Sequence, residues 1–109
     1  LVHRRDIDWG MTSLVAEDGV ATALVDHVDG SQTAVELIGA RQGLGLGSFQ
    51  IYTGQALAYR RGIAVAVEPL LAMTDAFNRP ECEALITVGP GQVQEFHAAL
   101  EHRSPLKRQ

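Results

Sequence analysis

The side chains best equipped for chemistry are a carboxylate, Glu68, at the end of the apolar run "RGIAVAVEP", and an amide and a phenol, Gln50 and Tyr52, in "FQIYTG". Carboxylates and amides exchange hydrogen bonds with vicinal hydroxyls, so a Glu close to a Gln and a Tyr on a neighbouring strand suits a polyhydroxylated ligand held in a concave site. On composition alone the plainer reading is favoured, in which Glu68 is an exposed acid at a strand end.

Other constellations carry less. His3, His27, His97 and His102 are dispersed, and none stands in a close His/Asp/Ser grouping; His97 and His102 could share a helix face only loosely. The single cysteine, Cys82, sits in the polar turn "RPECEAL" with no His or second Cys at ligand spacing, so no metal site is expected. A lone thiol cannot form an internal disulfide, which fits a reducing, cytoplasmic setting. The glycines of "GLGLGS" at positions 43–48 lack the Lys-Ser/Thr pair of a phosphate loop, and the strand-like "FQIYTG" follows where a helix would be needed. They read as a turn or a glycine bulge.

Composition sets the frame for these residues. A chain of 109 residues suits one small domain, and 46% hydrophobic with 20% charged residues describes an ordinary globular chain. The net charge of −4 and scattered basic residues argue against a nucleic-acid surface. No apolar run approaches the roughly 18–20 residues that span a bilayer, so no membrane partner is expected.

Short runs of Val, Ile, Thr and Leu broken by Gly, Asp, Asn and Pro predict an all-β, antiparallel fold. The expected strands are "TSLVA", "VATALVDHV", "TAVELIG", "SFQIYTG", "IAVAVEP" and "EALITVG", with a further strand in the tail "QVQEFHAALEH". "EDGV", "HVDGSQ" and "VGPGQ" are the turns. In "TAVELIG", Ala34, Glu36 and Ile38 alternate with Thr33, Val35 and Leu37, which predicts one wet edge or face. The segment Leu71–Glu83 should be a long surface loop, and residues 101–109 a frayed tail.

Taken in order, "DWGMTSL", "FQIYTG", "RGIAVAVEP", "TDAFN" and "ITVGPGQ" resemble the C-terminal part of the aldose 1-epimerase (galactose mutarotase) family, over Asp8 to about Leu100. The resemblance implies the C-terminal part of a galactose mutarotase-like β-sandwich, working on an aldohexose without a cofactor. By position Glu68 matches the family's catalytic base, Gln50 a substrate-binding Gln, and Asp8 a sugar-binding Asp, with Asp6 offering an alternative to Asp8. The family's acid His, a second sugar-binding His and a sugar-binding Arg lie upstream of the matching part. Without the acid, weak mutarotase activity or none is expected of this chain alone, since a missing acid or base typically costs about 10²–10⁴-fold in rate.

Two departures fall on loops: Thr74 stands where the family usually has Pro, and Gln92 where Glu is common. Both are expected to alter turns more than chemistry. The chain begins at Leu1 and enters patterned sequence at once, which suggests a portion of a longer protein. Exposed apolar sheet edges and faces would then be covered by the missing N-terminal part or by self-association. The alternatives to an epimerase are a non-catalytic carbohydrate-binding module and an epimerase for a phosphorylated hexose, with Arg60 and Arg61 as phosphate partners.

Overall fold

The computed structural model describes residues 6–39, 47–54, 56–59 and 64–105. Within them the chain is all-β apart from short helical turns, and its six strands form two three-stranded antiparallel sheets.

The first sheet to close along the chain is built on a hairpin. β2 (Val20–Asp26) and β3 (Gln32–Ile38) pair from Val20↔Ile38 to Asp26↔Gln32. Their connection is "HVDGSQ": the Gly30 N–H donates to the His27 carbonyl and the His27 N–H to the Ser31 carbonyl, with Gly30 at φ 83. Only a residue without a Cβ adopts that φ at no cost, which is why the chain reverses at this glycine. The turn before β2 is "EDGV". Glu17 and Val20 exchange both backbone hydrogen bonds across Asp18 and Gly19, each at positive φ, as a two-residue hairpin turn requires. β6 (His97–Arg103) adds to the other side of β3, from Gln32↔Arg103 to Ile38↔His97, giving the order β2-β3-β6.

The second sheet has the order β1-β4-β5, from β1 (Asp8–Met11), β4 (Ser48–Tyr52) and β5 (Ala66–Leu70). Beyond β1, Ile7 and Thr53 continue the pairing: the Thr53 N–H donates to the Ile7 carbonyl at 2.9 Å and the Ile7 N–H to Thr53 Oγ1 at 2.8 Å. Alternation along these strands divides the sheet. Trp9, Met11, Phe49, Ile51 and Val67 take one face; Asp8, Gly10, Ser48, Gln50, Tyr52 and Glu68 take the other.

The sheets meet where buried Phe49 packs with Ala21, Val35 and Leu37 of the hairpin, and Leu14, Ala16, Ala23 and Val67 close around this cluster. The contact is small. Trp9 and Met11 on the Phe49 face remain about half exposed, and Leu100, directly opposite buried Val35, is 76% exposed. The radius of gyration of 16.1 Å exceeds the roughly 13 Å of a compact chain of this length.

Five expected strands form, with shifted ends; two do not. "TSLVA" is irregular because Ser13 at φ 53 interrupts the extended backbone, although Leu14 and Ala16 still reach the core. "EALITVG" starts as a helical turn, α1 (Glu83–Ile86). Pro80 opens a 3₁₀ turn at Pro80–Cys82 that leads straight into it, and Glu-Ala-Leu are good helix formers, so the β-branched "ITV" does not decide the conformation. The Leu71–Glu83 loop contains a further 3₁₀ turn at Ala76–Asn78 and buries Ala76 and the Cys82 thiol. Residues 101–103 belong to β6 and are not frayed; positions 106–109 lie outside the described residues. In "TAVELIG" Val35 and Leu37 are buried and Ile38 is exposed, but Ala34 is also fully buried, so the outer face is only partly wet.

Candidate functional site

Gln50 is the middle residue of the middle strand, and its neighbours follow from register. Glu68 on β5 is its directly paired residue, and Gly10 on β1 pairs with it from the other side, with Asp8 two positions along. All project from one face of the sheet. Glu68 and Asp8 are exposed and Gln50 is half-buried.

The Gln50 amide is held at both ends. Its Nε2 donates to Asp8 Oδ1 at 2.6 Å, and its Oε1 accepts from the Thr74 hydroxyl at 2.9 Å. Gly10 leaves room for this, since a Cβ there would stand 3.2 Å from Gln50 Oε1. With one N–H and one lone pair committed, the amide keeps one donor and one acceptor position for a ligand. Among the described residues no side chain hydrogen bonds Glu68, which is exposed on the strand paired with Gln50. A diol laid across the two strands could accept from Gln50 Nε2 and donate to Glu68. Tyr52 takes the same face, and its hydroxyl accepts the Ala56 N–H at 3.0 Å.

The structure therefore brings Glu68, Gln50 and Asp8 together, and Asp8, not Asp6, is the acid bonded to Gln50. It also adds Thr74. This residue is expected above to alter its turn more than chemistry, yet its hydroxyl bonds the side chain at the centre of the cluster. The turn that delivers it is the polar "TDAFN", in which Asp75 adopts a left-handed conformation (φ 64) and accepts from Asn78 Nδ2 at 2.6 Å, while Arg79 Nε holds the Thr74 carbonyl at 3.1 Å. The polar content of "TDAFN" marks a turn, but nothing in its spacing signals a reach of 24 residues back to β4. Gln92 takes part in its own turn: its Oε1 accepts the Gly89 N–H within "VGPGQ".

Beside the cluster lies a cavity of about 40 Å³ lined by Thr12, Ser48, Met73, Glu81, Cys82 and Leu85 among others; Asp8, Gln50 and Glu68 do not line it. Ser48 Oγ is buried there and has no hydrogen-bond partner among the described residues.

The described histidines are elsewhere. His27, at the end of β2, lies 6.5 Å from His102 of β6 between ring centroids, with its Nε2 at 2.8 Å from Thr33 Oγ1, and His97 Nε2 lies 3.2 Å from Glu95. All three belong to the β2-β3-β6 side. His3, Arg60, Arg61 and positions 43–46 of the glycine run lie outside the described residues. Gly47 has φ 106, and a Cβ there would stand 3.0 Å from Leu37 Cδ1. Among the described residues no group of three or more His, Cys, Asp or Glu is placed to hold a metal ion, and no helix is long and apolar enough to cross a membrane. Comparison with models of protein families, with curated proteins and with solved structures gives no match.

Proposed function

We propose that the polar face of β1-β4-β5 is the base-bearing part of an aldose 1-epimerase-like sugar site, within the C-terminal part of a galactose mutarotase-like sandwich. The observation that supports this most is that Gln50 stands between Asp8, to which it is hydrogen-bonded, and Glu68, with which it is paired across the strands. A hexose on this face has its hydroxyls held by Gln50 and Asp8, with the anomeric hydroxyl directed at Glu68. The Glu68 carboxylate takes the proton of that hydroxyl as the bond from C1 to the ring oxygen breaks, and an acid gives a proton to the ring oxygen. Rotation about C1–C2 and reclosure, with the two proton transfers reversed, yields the other anomer.

Polarimetry and NMR of α-glucose and α-galactose test the reading. The expected result is binding with a rate weakly above buffer that Glu68→Gln abolishes while the unfolding midpoint stays unchanged. A Glu68→Gln variant as active as the parent chain would remove Glu68 from the role.

One observation favours a second reading, a carbohydrate-binding module without catalysis. The described histidines all lie on the other sheet side, so among the described residues no imidazole stands beside Glu68 to act on the ring oxygen. Sugar binding with no rate above buffer would select it. In either reading the protein is cytoplasmic, in keeping with its lone thiol.

A further inference from the structure

We propose that β6 is a self-association edge, through which two copies pair β6 to β6, antiparallel, about a two-fold axis at Ala99. Among the described residues β6 has a neighbour on one side only, β3, so alternate N–H and C=O groups along its other side are open to a further strand. Every residue of the strand except half-buried Ala99 is exposed.

What selects the occupant is the order of charges. Glu95, His97, Glu101 and Arg103 share one face, as the contacts of His97 with Glu95 at 3.2 Å and of Arg103 with Glu101 at 3.3 Å show. Pairing about Ala99, continued two residues ahead of β6, sets Glu95 opposite Arg103 of the second copy, and within β6 it sets His97 opposite Glu101; symmetry repeats both. On the other face Ala98 meets Leu100, and Phe96 meets His102. This gives cover to Leu100, 76% exposed, and Phe96, 42% exposed. Directly opposite side chains of unlike charge attract and those of like charge repel, so this register stands out. Pairing about Leu100 takes Arg103 away from Glu95, and pairing about Ala98 sets Glu95 against Glu101. Shifts by an odd number of residues put the apolar face of one copy beside the charged face of the other. The match on both faces at once is what a second copy offers, and a two-fold contact of this kind closes on itself as a dimer. None of this depends on the sugar-site reading.

Sedimentation equilibrium of the full chain, with cysteine trapping, tests the proposal. The parent chain should show a concentration-dependent dimer. Arg103→Glu should weaken it about tenfold or more, because two symmetry-related attractions become repulsions, and Glu95→Arg with Arg103→Glu should restore it. Ala99→Cys should cross-link under mild oxidation, as opposed Cβ atoms on paired strands are about 4.5–5.5 Å apart, whereas Leu100→Cys should not; Cys82, being buried, serves as the internal control. Circular dichroism confirms folding of each variant. A chain that stays monomeric, a charge swap that fails to restore association, or cross-linking at position 100 in place of 99 would overturn the proposal.

Discussion

Replacing Gln50 by Glu tests whether the polar side chains of β1, β4 and β5 act as one unit. The change keeps the side-chain shape but converts Nε2, 2.6 Å from Asp8 Oδ1, into an oxygen, so a donor and acceptor become two carboxylate oxygens in contact. A hydrogen bond to a charged group contributes about 1.5–3 kcal/mol, and exposure of Asp8 favours the lower end. Two unit charges 4 Å apart repel by about 1 kcal/mol in water-like surroundings and about 4 kcal/mol at an effective dielectric of 20; exposure again favours the smaller figure. Glu68, paired with position 50, adds a third charge of the same sign. The expected loss at neutral pH is about 1–3 kcal/mol, or roughly 5–20 °C in the unfolding midpoint of a domain this size.

The sign of the pH dependence follows. Crowded carboxylates bind a proton more tightly folded than unfolded, so the deficit is full at neutral pH, shrinks as pH falls through the carboxylate range, and vanishes where all are protonated in both states. Thermal unfolding followed by circular dichroism at pH 7 and at acid pH reads it. Adding Asp8→Asn returns a donor to the contact and should recover most of the loss. An unchanged midpoint for Gln50→Glu at pH 7, or no recovery in the double variant, would refute the contact.

Other expectations concern the site's neighbours and the core. Gly10→Ala brings a Cβ to 3.2 Å from Gln50 Oε1, tight enough to displace the amide by tenths of an ångström; ligand affinity measured by calorimetry should fall with little change in stability. Phe49→Ala, in the core cluster where the sheets meet, should cost about 3–5 kcal/mol in denaturant unfolding, a large share of a total of about 5–15 kcal/mol. Ser31 Oγ donates to Asp29 Oδ1 at 2.6 Å and the Ser31 N–H to the same atom at 2.9 Å, and these bonds, the hydroxyl's foremost, hold the Asp29 carboxyl below its ordinary 3.8. Their contribution is full above about pH 4 and is lost as pH falls through the lowered value. Amide protection of the β2–β3 turn should follow that course, and Asp29→Asn should make it independent of pH.

Strands whose β-branched residues alternate or cluster were legible in the sequence: β2, β3, β4 and β5 lie within or beside the runs that predict them, and the tail strand is β6. β1 carries no such mark, because "DWGM" is short, exposed along its length and contains a glycine; its place is fixed by pairing with β4, a tertiary contact that no local pattern encodes. The error at "EALITVG" has a different cause, a helix start set by Pro80 just upstream. Glu68 and Gln50 could be singled out as polar residues in strand patterns, whereas their juxtaposition depends on a register that only the folded ladder shows. Thr74 was visible only as an unusual turn residue, since its partner lies across the fold.

Pro69 lies within β5: it pairs with Phe49, and the strand runs on to Leu70. An imino acid has no N–H to give, so it sits in an edge strand without loss only when its nitrogen points away from the neighbouring strand. That condition fixes the phase of the ladder. A slip of β5 by one position would turn the gap in donors inward and carry Glu68 through the sheet to the Phe49 face. The residue after the carboxylate thus works as a tally mark cut into the backbone, letting β4 accept β5 in the phase that keeps Glu68 beside Gln50.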